Sequence, residues 1–244
     1  MTASIKHLDQ DGAAQLSAYN WPDVYAGVAQ TARKFGVENN GDRVLNSVSM
    51  AIAQVGSNDG YTMEQWALDT VTLSRPYGVG AVLSTAGQGG TWDGVGYQYW
   101  TITAFNATGE TIGAVEVAVY IDDTTKKVTL SWTQVTGATG YKVYRSGTSG
   151  VYTTPALRTT INSGATVSYI DTGGAVSSGA PPAVNTTAGA APPYGTCPAL
   201  AQTPISFGSL AVGQQAFYWI KLVVPGGTSE VGNLRLGLRQ FQEN

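Results

Sequence analysis

The chain carries one histidine, His7, and one cysteine, Cys197, so chemistries that need a pair of such side chains have little to draw on. A serine or cysteine nucleophile activated by imidazole would have to use His7, which lies beside Asp9, Asp11 and Gly12 close to the chain start. Chain ends are usually too mobile to hold a base within hydrogen-bond reach of its nucleophile. A lone cysteine excludes an intrachain disulfide and a cysteine-built zinc or iron–sulfur centre. Among carboxylates, Asp122-Asp123 with Glu116 and Asp171 form an oxygen set of the kind calcium uses. Their spacing matches no EF-hand loop, and Asp122-Asp123-Thr124-Thr125-Lys126-Lys127 reads as a solvated hairpin connection. Glu64, Asp69 and Glu116 could serve as glycosidase acid and base on chemistry alone, but nothing in their spacing selects a pair. No catalytic residue, metal ligand or cofactor is assigned, and the chain is expected not to be an enzyme.

The glycine clusters Gly87-Gln88-Gly89-Gly90 and Gly94-Val95-Gly96 are followed by aromatic β sequence. A phosphate loop needs a strand before it and a helix N-terminus after it, so these glycines are expected to serve turns. Asn106-Ala107-Thr108 and Asn185-Thr186-Thr187 have the form of glycosylation acceptors, incidental on a chain that is not expected to be exported. The residues left with binding chemistry are aromatic. Trp92, Tyr97, Tyr99, Tyr152 and Tyr194 fall in or beside expected loops, where their amphipathic rings can stack on a sugar or anchor a protein partner.

Composition limits the partners. Of 244 residues, 13 are Lys or Arg and 16 are Asp or Glu, a formal net charge of −3. The charged fraction of 12% is about half the usual value, while 43% of the residues are apolar and 31 are glycine. Wholesale disorder is excluded, because it requires low hydrophobicity with high net charge. A pI near 5.1 disfavours a nucleic-acid partner. Met1-Thr2-Ala3-Ser4-Ile5-Lys6-His7-Leu8-Asp9-Gln10 lacks the uninterrupted apolar stretch of a secretory signal, so export by that route is not expected. The longest apolar runs, residues 216–220 and 222–224, are broken by Lys221 and Pro225 and fall far short of the roughly 20 residues that span a bilayer.

The elements that must position these residues are strands. Residues 1–24 are polar and aperiodic up to Asn20 and then broken by Trp21-Pro22, which predicts an arm. Beyond Thr31 come short alternating runs rich in Val, Thr and aromatics. Residues 34–38, the turn Asn39-Asn40-Gly41-Asp42 and residues 44–55 read as strand, turn, strand, with Val48, Met50 and Ile52 alternating against Ser49, Ala51 and Ala53. Residues 61–74 alternate in the same way up to Arg75-Pro76. The glycine-rich stretch near residues 87–91 predicts a domain boundary, and residues 173–198, rich in Ala, Gly, Ser, Thr and Pro, predict a linker or extended crossing. Strand pattern returns over residues 205–210, 215–224 and 233–241. The middle run is apolar on both faces and is expected to be a central strand. A C-terminal block of about 50 residues seldom builds a core alone, so it is expected to complete a sandwich begun by residues 25–86.

The middle of the chain carries a resemblance. Tyr99-Trp100-Thr101-Ile102-Thr103-Ala104-Phe105-Asn106-Ala107-Thr108-Gly109-Glu110 resembles the penultimate strand of a fibronectin type III domain. Val128-Thr129-Leu130-Ser131-Trp132 and Gly137-Ala138-Thr139-Gly140-Tyr141-Lys142-Val143-Tyr144-Arg145 resemble the strand with that family's core tryptophan and the strand after it. Ser168-Tyr169-Ile170-Asp171-Thr172-Gly173 is similar to the segment that precedes the tyrosine-rich strand. In the family the tryptophan strand comes first, whereas here Trp132 follows Gly109-Glu110. The unit is therefore either circularly permuted or the end of one domain joined to the start of another, and its span of about 100 residues favours one permuted domain.

That order, with the exit Pro181-Pro182-Ala183-Val184-Asn185-Thr186, resembles modules of tailed-bacteriophage structural proteins. Phe207-Gly208-Ser209-Leu210-Ala211-Val212-Gly213 and Tyr218-Trp219-Ile220-Lys221-Leu222-Val223-Val224-Pro225-Gly226-Gly227 resemble immunoglobulin-like strands of such virion proteins. The resemblance implies an all-β chain of two immunoglobulin-like β-sandwiches, the second, fibronectin type III-like one inserted in the first: residues 1–24 an arm, 25–90 with 192–244 a discontinuous sandwich, and 91–191 the permuted module with its linker. The function it implies is that of a non-enzymatic virion component in the tail or baseplate, neck or head decoration, assembled in the host cytoplasm. Such a part docks on other virion proteins in a ring or lattice and presents a β-sandwich, without nucleic-acid partner or membrane insertion. The alternative is a carbohydrate-binding or host-surface adhesion module that uses the loop aromatics on a host-surface glycan.

Overall fold

The computed structural model describes residues 4–9, 12–15, 32–53, 64–187, 205–222 and 237–242. Among them the chain is all-β, without a helix, and every pair of neighbouring strands is antiparallel. Among the described residues no helix is long and apolar enough to cross a membrane. The chain divides into two compact units, Met1–Thr72 with Gly189–Asn244, and Leu73–Ala188.

In the first unit the strands are β1 (Ile5–Leu8), β2 (Arg33–Asn39), β3 (Leu45–Ala53) and β4 (Glu64–Asp69). The second unit supplies β5 (Gly80–Leu83), β6 (Gly96–Phe105), β7 (Val117–Ile121), β8 (Val128–Ser131), β9 (Gly140–Ser146), β10 (Leu157–Ile161) and β11 (Ser168–Asp171). The chain then returns to the first unit for β12 (Ile205–Leu210), β13 (Gln215–Leu222) and β14 (Gly237–Gln242).

The first unit has two sheets, ordered β1-β2-β13-β4 and β12-β3-β14. β13 is central, as its apolar faces predict, with Phe217, Tyr218 and Ile220 buried between the ladders to β2 and β4. Tyr218 meets Phe35 of the same sheet at 5.8 Å and Phe207 of the other sheet at 5.9 Å between ring centroids. Each such pair contributes about 0.5–1.5 kcal/mol beyond the area it buries. The Asn39 amide donates to the carbonyls of Arg43 and Leu210, and its Oδ1 accepts from Gly41, so the side chain shapes the expected turn and ties β2 to β12. The expected arm is in part structured: Ile5–Leu8 pairs with β2, and Leu8 is fully buried. Its strand character comes from the open edge of β2 and not from local alternation, which is why the sequence reads as aperiodic there.

In the second unit a three-stranded sheet, β11-β8-β5, and a four-stranded sheet, β10-β9-β6-β7, enclose one core. Alternation sets which side chains enter it. Trp100, Ile102 and Ala104 of β6 point inward together with Tyr141 and Val143 of β9 and Val128 and Leu130 of β8, all fully buried. Trp132, just past β8, packs edge-on against Tyr141 at 5.2 Å. Burying each of these large side chains contributes about 1.5–3 kcal/mol. Two sequence boundaries move. Residues 73–90, expected with the first sandwich, belong here, because β5 pairs with β8 from Gly80↔Ser131 to Leu83↔Val128. Residues 87–90 are a loop of this unit and not a domain boundary: the Gly90 N–H donates to the Thr125 carbonyl, and a Cβ on Gly90 would collide with the Lys126 carbonyl.

Nor are residues 173–187 a free linker. Leu73 donates its N–H to Thr187 Oγ1 at 3.0 Å, and its carbonyl accepts from the Asn185 amide at 2.9 Å, so entry and exit of the unit are bonded side by side. Asn185 and Thr187, read from sequence as part of a glycosylation motif, are buried in that clasp.

One polar cluster lies inside this core. The Asp171 carboxylate, fully buried, accepts from Trp100 Nε1 at 2.9 Å, Arg145 Nη1 at 3.1 Å, Arg158 Nε at 2.8 Å and its neighbour Gly173 N at 3.0 Å. The guanidiniums also donate to the backbone, Arg158 to Gly173 O and Arg145 to Gly174 O. Burial works against the charge of Arg158, but the hydrogen bond and attraction from Asp171 outweigh it and raise its pKa. Substituting Asp171→Ala leaves two cations without their shared anion and is expected to cost about 3–5 kcal/mol in urea unfolding. Asp171→Asn should cost a comparable amount, because an amide restores the shape but not the charge.

Candidate functional site

The sequence-derived surface aromatics separate in the structure. Trp92 is only 7% exposed. Its ring stands edge-on to Trp100 at 6.1 Å, carries the Arg145 guanidinium over its face at 4.9 Å, and donates Nε1–H to the Lys126 carbonyl. Trp92 is therefore a core residue and not a surface contact, held in place by Trp100, the Arg145 guanidinium and the Lys126 carbonyl. Tyr194 lies outside the described residues.

Tyr97 and Tyr99 are two apart on β6 and so share the outer face of the four-stranded sheet. Tyr97 is 57% exposed and stacks against Tyr99 at 6.1 Å. Directly across the ladder from Tyr97 stands Tyr120 of β7, 50% exposed, with its ring at 5.1 Å. The three rings make one aromatic patch on a rigid strand pair. Tyr120 was missed in the sequence, although its signal was present in the alternation of residues 117–121.

Tyr152 has another role. Its hydroxyl donates to Glu116 Oε2 at 2.7 Å, Ser149 donates to Oε1 at 2.7 Å, and the Gly150 N–H donates to Oε2 at 2.9 Å. Glu116 thus clamps the loop between β9 and β10. Burial and the carboxylate together raise the Tyr152 pKa, keeping its proton in the bond. The side chain of Glu64 lies outside the described ones; the other carboxylates considered for chemistry are similarly engaged. Asp69 accepts from the Val71 and Thr72 N–H groups, the Thr72 hydroxyl and Trp219 Nε1. Asp123 accepts from Thr125 and Asp122 pairs with Lys126, as the turn reading expects. Glu110, which sequence reasoning did not single out, accepts from Thr103, Tyr144 and Lys142. His7 sits on β1, its Nδ1 buried without a hydrogen-bond partner and its pKa lowered by desolvation.

A cavity of about 400 Å³ opens beside the clamped loop. Gln98 of β6 and Arg145 and Ser146 of β9 line one side of it. The loop supplies Thr148, Val151, Thr153 and Thr154, with Pro155, Ala156 and Val176 giving apolar wall. Sequence reading gave no sign of this site, because its residues come from three separate stretches and none is unusual where it stands. Gln98, between Tyr97 and Tyr99 on β6, faces the other side of the sheet from the tyrosine patch.

Comparison with protein-family models, with curated proteins and with solved structures finds no significant match to this chain.

For the clamp, burial pushes the Glu116 pKa up, but the bonds from Gly150, Ser149 and Tyr152 outweigh it and leave it below the ordinary 4.5. A carboxylate with a lowered folded pKa contributes stability that is present above its unfolded pKa and lost as pH falls through the folded one. The amide-exchange protection factor of Gly150, read by NMR, is therefore expected to hold from neutral pH to about 4.5 and to drop below it. Tyr152→Phe should move the midpoint of that drop toward the ordinary carboxylate value.

Proposed function

We propose that this chain is a non-enzymatic structural component of a tailed-bacteriophage virion, in the tail or baseplate, neck or head decoration. In this reading the unit built from the chain ends docks on the particle, and residues 73–188 form a permuted fibronectin type III-like sandwich that the particle presents. The observation that carries it is strand order. Seven strands split between two antiparallel sheets around one core is the architecture of immunoglobulin-like domains, and here β6 and β7 precede β8 in the chain while pairing beside β9. That order agrees with a circular permutation in which the segment resembling the penultimate strand comes ahead of the tryptophan strand.

Two further observations support an assembly role. Val82 and Ile170, 68% and 54% exposed, both stand opposite Thr129 on neighbouring strands, giving the three-stranded sheet an apolar outer strip of the kind that meets other proteins. The low charge density weakens repulsion between copies packed in a ring or lattice. Immunogold electron microscopy of purified particles, with an antibody against the chain, is expected to label the tail, neck or head. Unlabelled particles that accept control antibodies would overturn the assignment.

A second reading, adhesion to a host-surface glycan or protein, is favoured by the exposed patch of Tyr97, Tyr99 and Tyr120. Rigid tyrosines bring large amphipathic contact area at low entropic cost. Labelled chain is expected to bind the cells that the particles infect, and the double substitution Tyr97→Ala and Tyr120→Ala to weaken that binding at least tenfold.

A further inference from the structure

We propose that the cavity beside the loop between β9 and β10 is a binding site for one residue of a neutral saccharide. The inference rests on the adhesive reading and adds to it a site, a ligand class and the residues that select it.

The groups that converge on the cavity are of the type a sugar needs. Gln98 brings an amide that can donate and accept together, and Thr148 and Thr153 bring hydroxyls; none of the three side chains has a hydrogen-bond partner among the described residues. Thr154 Oγ1 accepts from Gly179 N, which leaves its own proton to donate. Between these polar points lie Val151, Pro155 and Val176, apolar surface for the C–H faces of a pyranose ring. A cavity of about 400 Å³ is within the range of small-molecule sites.

The charge pattern selects against anions. The one charged residue lining the cavity is Arg145, and its guanidinium is already engaged by Asp171, by the Gly174 carbonyl and by the face of Trp92. A phosphate or carboxylate entering here would find no uncommitted cation to offset its desolvation, whereas a hydroxyl meets neutral donors and acceptors. The walls are also held in place. The Glu116 clamp fixes residues 149–152 of the loop, and Gln98 stands on the central part of a four-stranded sheet, so little ordering remains to be done on binding.

The test is a glycan array probed with the intact chain and carrying neutral and acidic oligosaccharides, followed by titration calorimetry with the best neutral binder. Binding to neutral glycans is expected, with affinity insensitive to salt. Gln98→Ala and Thr153→Val should each lower it about tenfold, the size of one lost hydrogen bond, with the melting temperature unchanged. Asn162→Ala, exposed just past the end of β10 that lies away from the cavity, should bind as the unaltered chain does. Gln98 is on a strand, so Thr153, on the exposed loop, keeps the test valid if the first variant folds poorly. Three results would overturn the proposal: no glycan bound, binding confined to acidic glycans and lost with added salt, or full affinity retained in both Gln98→Ala and Thr153→Val. If binding in the last case is instead lost in Tyr97→Ala with Tyr120→Ala, the cavity assignment fails while adhesion through the tyrosine patch stands.

Discussion

The second unit depends on a single buried carboxylate. Asp171 holds two guanidiniums, an indole and a backbone amide in a place with no water to replace them. Taking those charges out of solvent is costly, and only the close geometry around the carboxylate returns that cost. Several other features follow from it. The Arg145 guanidinium that Asp171 fixes supplies the cation over Trp92, and Trp92 in turn covers Trp100, which donates back to Asp171. The cluster therefore joins β6, β9, β10 and β11 in one closed network that crosses between the two sheets. A hydrophobic layer in the same place would tolerate sliding of one sheet over the other, whereas directional hydrogen bonds to one carboxylate do not.

The same network shapes the site above it. Arg145 forms part of the cavity wall, and because its charge is spent internally the cavity offers neutral polar chemistry. Around it the remaining acidic groups are similarly committed: Glu116 to the loop, Glu110 to Thr103, Tyr144 and Lys142. In a chain with so few charges, most of those described in this unit are structural parts. The surface that is left is made of tyrosines, threonines and isolated valines, which suits contact with uncharged partners more than electrostatic steering.

The first unit is organised differently. Its strands come from the two ends of the chain, and β13, near the C-terminus, is the strand that β2 and β4 share. The contact of Tyr218 with Phe207 and the bond from the Asn39 amide to the Leu210 carbonyl link its two sheets. Until β13 is made, β2 and β4 have no common neighbour, so the ordering of this unit waits on residues far along the chain.

The alternation of apolar and polar residues was enough to read most of the strands from the sequence, because a strand with one buried face has a period that local composition must obey. It placed Trp100, Ile102 and Ala104 on one face, Val128, Leu130 and Trp132 on another, and residues 215–222 at the centre of a sheet. It likewise identified the turn at residues 122–127 and the exposed Tyr97. What it could not reach were properties that depend on partners distant in the chain. Ile5–Leu8 is a strand only because β2 has an open edge, β5 belongs to the second unit only because β8 pairs with it, and residues 185–187 are a clasp only because Leu73 is beside them. Trp92 looked like a surface aromatic and is a core residue, since its burial is decided by Arg145 and Trp100 and not by the glycines around it. The sequence by itself determined which side chains face inward along each strand; the tertiary structure alone decided which strands are neighbours and which polar groups are left free, because pairing and hydrogen-bond satisfaction are set by contacts between residues far apart in the chain.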